Sequence, residues 1–174
     1  IMSTLSLQKL KSFEQTVNYI KKNITEYWTD ILLYPELLQL SPFQFFRFIQ
    51  RCPYVADPKG IEFVTRPKIL LEIYFSDNSF YFDCDDRTGL SGACFKARNK
   101  LFGEKNTGKI IVSGEPQAVK KTMDLSGLPH YINVPHHVYL LVNGYSFDPT
   151  YPENQYGKKL FKEAFYKEYP VNLD

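Results

Sequence analysis

Apolar residues recur at three- and four-residue steps early in the chain, through Leu7, Leu10, Phe13, Val17 and Ile20, and this spacing predicts an amphipathic helix over roughly 5–32. Pro35 interrupts it. Ser41-Pro42-Phe43-Gln44 offers a capping serine, a proline at the first helical position and a glutamine where a capping box wants one. A second helix should follow to about Arg51, with Cys52-Pro53 ending it. Residues 53–68 carry three prolines and a glycine and read as a connector over the surface. Residues 69–76 are apolar and do not choose between helix and strand. Asp83 then predicts a cap for a helix of about 84–101, closed by Gly103.

The pattern changes period after that glycine. Ile110-Ile111-Val112 reads as a short strand and His137 to Val142 as another. Asn143-Gly144 is a two-residue hairpin signal, with Tyr145 to Asp148 returning antiparallel. From Tyr151 the tail is polar and aromatic, with a short helix expected near 158–168. Helices first, then one central helix, then a mainly antiparallel sheet is an α+β pattern. The 174 residues suit one domain, with a helical N-terminal part over 1–55 and the main core over 56–174.

Composition sharpens this only a little. Apolar residues make up 44% and aromatics 16%, which supports a buried core and argues against disorder. With 21 basic and 19 acidic residues the net charge is +2, too small to steer nucleic acid or membrane, so neither is expected as a partner. No apolar run approaches the ~18 residues of a membrane span, and no signal-peptide h-region follows the first residues. Three cysteines, Cys52, Cys84 and Cys94, do not make a disulfide framework, so a reducing, cytoplasmic setting is expected. Asn23-Ile24-Thr25 fits the glycosylation triplet, read here as accidental.

The candidate chemistry converges from three places. Cys84 lies at the first turn of the expected central helix, beside unsatisfied N–H groups and the positive dipole end. Phasing of about 100° per residue sets it apart from a buried stripe of Leu90, Ala93, Cys94, Ala97 and Leu101. Cys94 and Cys52 therefore read as packing residues. Asp83, Asp85 and Asp86 favour a helix start but disfavour a thiolate, so activation of Cys84 calls for a nearby imidazole. The hairpin supplies one. If Val142 pairs with Tyr145, then Tyr139 faces Asp148, and strand alternation puts His137, Tyr139 and Asp148 on one face. Asp148 is the diagonal neighbour of His137, while His136 points the other way. A carboxylate beside the imidazole fixes its tautomer and stabilises its charged form.

Asp83-Cys84-Asp85-Asp86 with its small-residue helix resembles the nucleophile segment of transglutaminase-like proteins, within the papain-like cysteine protease superfamily. His137-Val138-Tyr139-Leu140 and Asn143-Gly144-Tyr145-Ser146-Phe147-Asp148-Pro149-Thr150 resemble that family's histidine strand and its Asp-Pro-Thr strand. The likeness covers roughly 80–150, is weaker over Asp57 to Pro67, and is greatest to short phage- and prophage-encoded members, some of them virion or assembly components. It implies a core whose central helix carries the cysteine and packs on an antiparallel sheet carrying the histidine and acid. It also implies a nucleophile at Cys84, a general base at His137, an orienting acid at Asp148, and acyl transfer through a thioester to water or an amine. Two positions depart from the family pattern: Asp83 replaces a glycine and Val138 an aromatic. The resemblance points to the backbone N–H of Cys84 as one oxyanion donor, with Asn78 and Tyr81 as candidates for the other.

Other signals lead elsewhere. Gly103-Glu104-Lys105-Asn106-Thr107-Gly108-Lys109 approaches a phosphate-binding loop, but Ile110 replaces its Ser/Thr and the helix-to-strand order is reversed. Acids at 83, 85 and 86 fail calcium-loop spacing, since Arg87 stands where an oxygen belongs. Cys84 with His130, His136 and His137 lacks any zinc-ligand spacing, and His130 reads as a loop residue. Lys120-Lys121 and Lys158-Lys159 read as surface charge. No cofactor or metal is expected. The expected function is a thiol-dependent amide hydrolase or acyl transferase acting on a peptide or protein, in a host cytoplasm or a virion. The alternative is a virion or assembly protein that keeps the fold with an idle site, with partner contacts over 1–55.

Overall fold

The computed structural model describes residues 13–58, 62–76, 82–123, 129–158, 163 and 165–174. The first helix, α1, runs Phe13–Thr25, and the part expected before Phe13 lies outside the described residues. It stops short of the expected end at 32. A 3₁₀ helix, Tyr27–Leu33, follows instead. The cause is tertiary: Asp30 is buried and accepts two bonds of 2.7 Å from the Arg66 guanidinium and one of 3.1 Å from the Lys68 N–H. A bidentate charged pair of this kind outweighs the small gain of continuing a regular helix. Pro35 opens a one-turn helix, α2, at Pro35–Leu38.

Helix α3, Pro42–Arg51, starts as its sequence dictates: the Gln44 N–H donates to the Ser41 hydroxyl and the Ser41 N–H donates to the Gln44 side chain. The ambiguous apolar run is helical, as α4, Pro67–Phe75, with its proline in the first turn. Helix α5, Cys84–Phe102, is the centre of the molecule and ends at Gly103, whose φ of 66° is left-handed. It has no single buried stripe. Every residue from Asp85 to Ala97 is buried, whereas Leu101, expected on the stripe, is 48% exposed. A helix covered on all sides cannot be phased from apolar periodicity.

Small residues are what let neighbours close on α5. A Cβ at Gly92 would stand 2.3 Å from Ile24 Cδ1 and 2.5 Å from Ile24 Cγ1 of α1, so the two helices meet over bare backbone. Asn23 lies at the same contact and donates to the Thr65 carbonyl at 3.1 Å, which makes it a buried structural side chain.

One antiparallel sheet covers another flank of α5, in the order β3-β2-β1-β4. Strands β1, Gly108–Met123, and β2, Pro129–Val142, are both longer than expected, and His130 belongs to β2, not to a loop. The turn to β3, Tyr145–Phe147, has Val142 opposite Tyr145, with Asn143 at φ 53° and Gly144 at φ 81°. That is the twist-compatible two-residue turn which asparagine–glycine specifies. The expected helix near 158–168 is corrected: 159–162 and 164 lie outside the described residues, and Phe165–Val171 forms strand β4. It pairs along β1 from Gly108↔Val171 to Gly114↔Phe165. Tyr166, Tyr169 and Val171 favour strand intrinsically, and the open edge of β1 supplies the ladder. The protein is thus α+β, with helices grouped against a four-stranded antiparallel sheet.

The Gly92 contact makes a sharp prediction. Gly92→Ala should lose about 1–2 kcal/mol, because overpacking against Ile24 outweighs the roughly 1 kcal/mol helix-propensity gain. Gly89→Ala, whose Cβ would meet Asn23 at an ordinary 3.4 Å, should be neutral or slightly stabilising. Thermal unfolding of the two variants, followed by circular dichroism, checks the opposite signs.

Candidate functional site

Cys84 is the first residue of α5, and its main chain is fixed to β2 within one turn. The Thr88 hydroxyl lies 2.7 Å from the Cys84 carbonyl and 3.3 Å from the Val138 carbonyl. The Val138 N–H donates to the Cys84 sulfur. Asp83 precedes the helix in extended geometry, but its side chain makes no cap bond. Asp86, at the third helical position, reaches back instead, with its carboxylate accepting the Asp83 N–H and, at 2.7 Å, the Thr65 N–H.

The histidine is placed by a bulge. Ser113 pairs with His137 but Gly114 pairs with Pro135, so His136 is the extra residue of β2. His136 is exposed, while His137 is 1% exposed. Around it, Val138, Leu140 and Val142 belong to the apolar core. The β2–β3 ladder ends at Leu140↔Phe147, one pair before the expected Tyr139–Asp148 partnership. Asp148 leaves the ladder and still meets the imidazole: His137 Nε2 and Asp148 Oδ2 are 2.8 Å apart.

Asp148 is held by donors on every side. Asn154 Nδ2 donates to Oδ2 at 3.2 Å and to the Asp148 carbonyl at 3.1 Å, and the Thr150 N–H donates to Oδ1 at 3.3 Å. A carboxylate so placed accepts the Nε2 proton, which leaves Nδ1 as the basic nitrogen of the neutral ring. Tyr139 stacks on the imidazole at 5.7 Å between ring centroids, and Tyr151 tilts over it at 5.1 Å. Tyr139 in turn donates its hydroxyl to Glu163.

Arg87, one turn into α5, draws three segments to this place. It is 1% exposed. Nη1 donates to the Ile49 carbonyl at 2.6 Å and the Pro149 carbonyl at 3.2 Å, and Nη2 to the Cys52 carbonyl at 2.7 Å. Its guanidinium also lies 4.5 Å from the centroid of Phe82. Gln50 Nε2 adds bonds to the Tyr151 and Asn154 carbonyls at 2.7 and 2.9 Å. Together the two side chains fasten the end of α3 and the turn after Asp148 onto the start of α5.

The electrostatics at the sulfur oppose ionisation. Burial pushes the Cys84 thiol well above its ordinary pKa, and Asp83, Asp148 and Glu62 push in the same direction; the Val138 N–H pulls against them. The residue as a whole is only half-buried, yet the sulfur is packed closely enough for burial to be the leading cause. Tyr54 and Tyr151 lie close enough to feel the thiol, each with its own pKa raised first by burial.

The structure brings His137 and Asp148 into contact and sets the Cys84 sulfur against the residue that follows His137. Asn78 and Tyr81 lie outside the described residues. Cys94 is buried in the core, and Cys52 is buried with its thiol 3.4 Å from the Phe48 carbonyl. Sequence reasoning missed Asn154, Tyr151 and Arg87. Only Arg87 carried a signal, as an arginine among helix residues that the fold buries on every side. Compared with protein families, curated proteins and solved structures, the chain matches none of them.

Replacing Arg87 by Met should cost about 3–5 kcal/mol, on the order of 10 °C in Tm, because the buried Cys52 and Pro149 carbonyls lose this donor and the Ile49 carbonyl keeps only the Cys52 N–H. Arg87→Lys should recover only part of this, since an ammonium lacks the planar fork. Thermal unfolding decides; a loss below about 1 kcal/mol would show that the network is dispensable.

Proposed function

We propose that the protein is a transglutaminase-like, papain-type thiol enzyme, phage-encoded, that hydrolyses or transfers the acyl group of an amide or peptide bond through Cys84, His137 and Asp148. The observation that carries this reading is the 2.8 Å bond between buried His137 and Asp148, beside a helix-start cysteine whose sulfur takes the Val138 N–H. In this scheme His137 Nδ1 removes the Cys84 proton and the sulfur attacks the substrate carbonyl carbon. Asp148 stabilises the imidazolium that forms, and the Cys84 N–H at the open end of α5 faces the developing oxyanion. The imidazolium then protonates the departing amine, the C–N bond breaks and a thioester remains. Water or an amine attacks the thioester, giving its proton to His137, and the thiol is restored. Hydrolysis is the simpler outcome, because water needs no dedicated pocket.

A second reading has its own support. The surroundings of Cys84 raise the thiol pKa, where activated cysteines need it lowered. That favours a virion or assembly protein which keeps the fold with an idle site.

Iodoacetamide labelling with peptide mapping separates the two. The enzyme reading expects Cys84 to react at least about tenfold faster than buried Cys52 and Cys94, and His137→Gln to remove most of that advantage while the protein stays folded. Access alone would leave Cys84 the fastest thiol in His137→Gln as well. In that case, or if Cys84 reacts no faster than the other two, the idle reading stands.

A further inference from the structure

Carboxylates from two separate segments converge at the N-terminal end of α5. One oxygen each of Asp57, Glu62 and Asp85 lie within 4.8 Å of one another, and so do one each of Asp83, Asp85 and Asp86. Asp85 belongs to both groups. It is 1% exposed, Asp86 is 0% and Asp83 8% exposed. Two oxygens have backbone donors: Asp57 Oδ2 accepts the Phe63 N–H at 2.5 Å and Asp86 Oδ1 the Thr65 N–H at 2.7 Å. Among the described residues, Asp57 Oδ1, Asp83 Oδ1, Asp86 Oδ2 and both oxygens of Asp85 meet no N–H or hydroxyl donor. Among the described residues no lysine or arginine forms an ion pair with these acids. Arg87, a nearby cation, is engaged with three carbonyls.

Buried carboxylates without donors cost several kcal/mol each, so something must neutralise them. The helix end contributes only about half a positive charge. Protons are one answer. Burial first, and then the neighbouring acids, raise Asp85 and Asp86 far above the ordinary carboxylate range, and Asp57 is pushed up to about 7. Yet a proton bridges only two oxygens, and Asp85 is approached by Glu62 and by Asp83 at hydrogen-bonding range. A metal ion can serve three of them at once, and the triad of Asp57, Glu62 and Asp85 is the one that joins the two segments. Oxygens bound to one Ca²⁺ at about 2.4 Å stand no more than about 4.8 Å apart, which both groups satisfy. A set made only of carboxylate oxygens selects a hard cation, and this many anionic ligands suits Ca²⁺ better than Mg²⁺, which usually keeps its waters and takes one or two carboxylates. The failed calcium-loop spacing does not bear on this, because the ligands come from two segments, not from one loop.

We propose that Asp57, Glu62 and Asp85 form a Ca²⁺ site that clamps the connector before α4 to the start of α5, with Asp83 and Asp86 adding negative charge beside it. The site is independent of whether Cys84 turns over. Chelator-stripped full-length chain titrated with CaCl₂ in a calorimeter should bind close to one equivalent. At a hundredfold excess over Kd its Tm should rise by about 5–10 °C. Asp85→Asn removes a buried charge and should fold without the ion, but lose both the heat and the Tm response. Asp57→Asn, at a half-buried position, should weaken binding at least tenfold while leaving the fold intact. A flat titration and an unchanged Tm up to about 10 mM CaCl₂ would overturn the site in favour of protons. So would a wild-type response in both variants.

Discussion

The buried guanidinium of Arg87 is the interaction on which the arrangement of this molecule depends. It sits in the fourth residue of α5 and reaches carbonyls of Ile49, Cys52 and Pro149, which belong to the end of α3, the segment after it and the turn after Asp148. What brings them together is the requirement that a charge taken out of water be surrounded by acceptors. Arginine can meet it with one planar group, where lysine would offer a point. Through the carbonyl of Pro149, the next residue along the chain, Arg87 also holds Asp148 where the β2–β3 turn has brought it beside His137.

The field at Cys84 is then a contest between unlike sources. On the positive side stand the end of α5 and the Val138 N–H. On the negative side stand Asp83, Asp148 and Glu62, with burial heavier than any of them. Helix-end effects of about 0.3–1 kcal/mol do not overcome dense burial with acidic neighbours. A thiol in such a place ionises only together with a partner that accepts its proton at contact range, the part that the proposed function gives to His137. The Asp148 carboxylate adds to the forces that disfavour the isolated thiolate.

Elements governed by local chemistry were legible in the sequence. The β2–β3 turn follows from Asn143 and Gly144, which alone supply the two left-handed positions, and α3 follows from Ser41, Pro42 and Gln44. The proximity of His137 and Asp148 came from that register, and the bulge at His136 preserved the outcome without being foreseen. The failures share a physical cause. The break after Thr25 is made by Arg66, far along the chain, and β4 by the unpaired edge of β1. The burial of α5 on all sides comes from Gly92 and its small neighbours admitting α1, which no apolar stripe announces. Asn154 and Tyr151 reach the site from an irregular segment whose path is set by Gln50. In each case the deciding partner is remote, and periodicity reports only near neighbours.

The start of α5 shows why its sequence is so dense in charge. Successive residues of a helix are turned by about 100°, so four in a row face four directions. Cys84 is turned to β2, Asp85 to the acids of the connector, Asp86 to the Thr65 backbone and Arg87 to the end of α3 and the turn beyond Asp148. A single helical turn thus meets four parts of the chain, and each contact is polar. Apolar residues there would bury equal area but would not fix register, because apolar contacts tolerate sliding and directed bonds do not. The cost of that directed arrangement is the unsatisfied charge gathered around Asp85, and any account of how this end of the helix holds together has to place a neutralising species there.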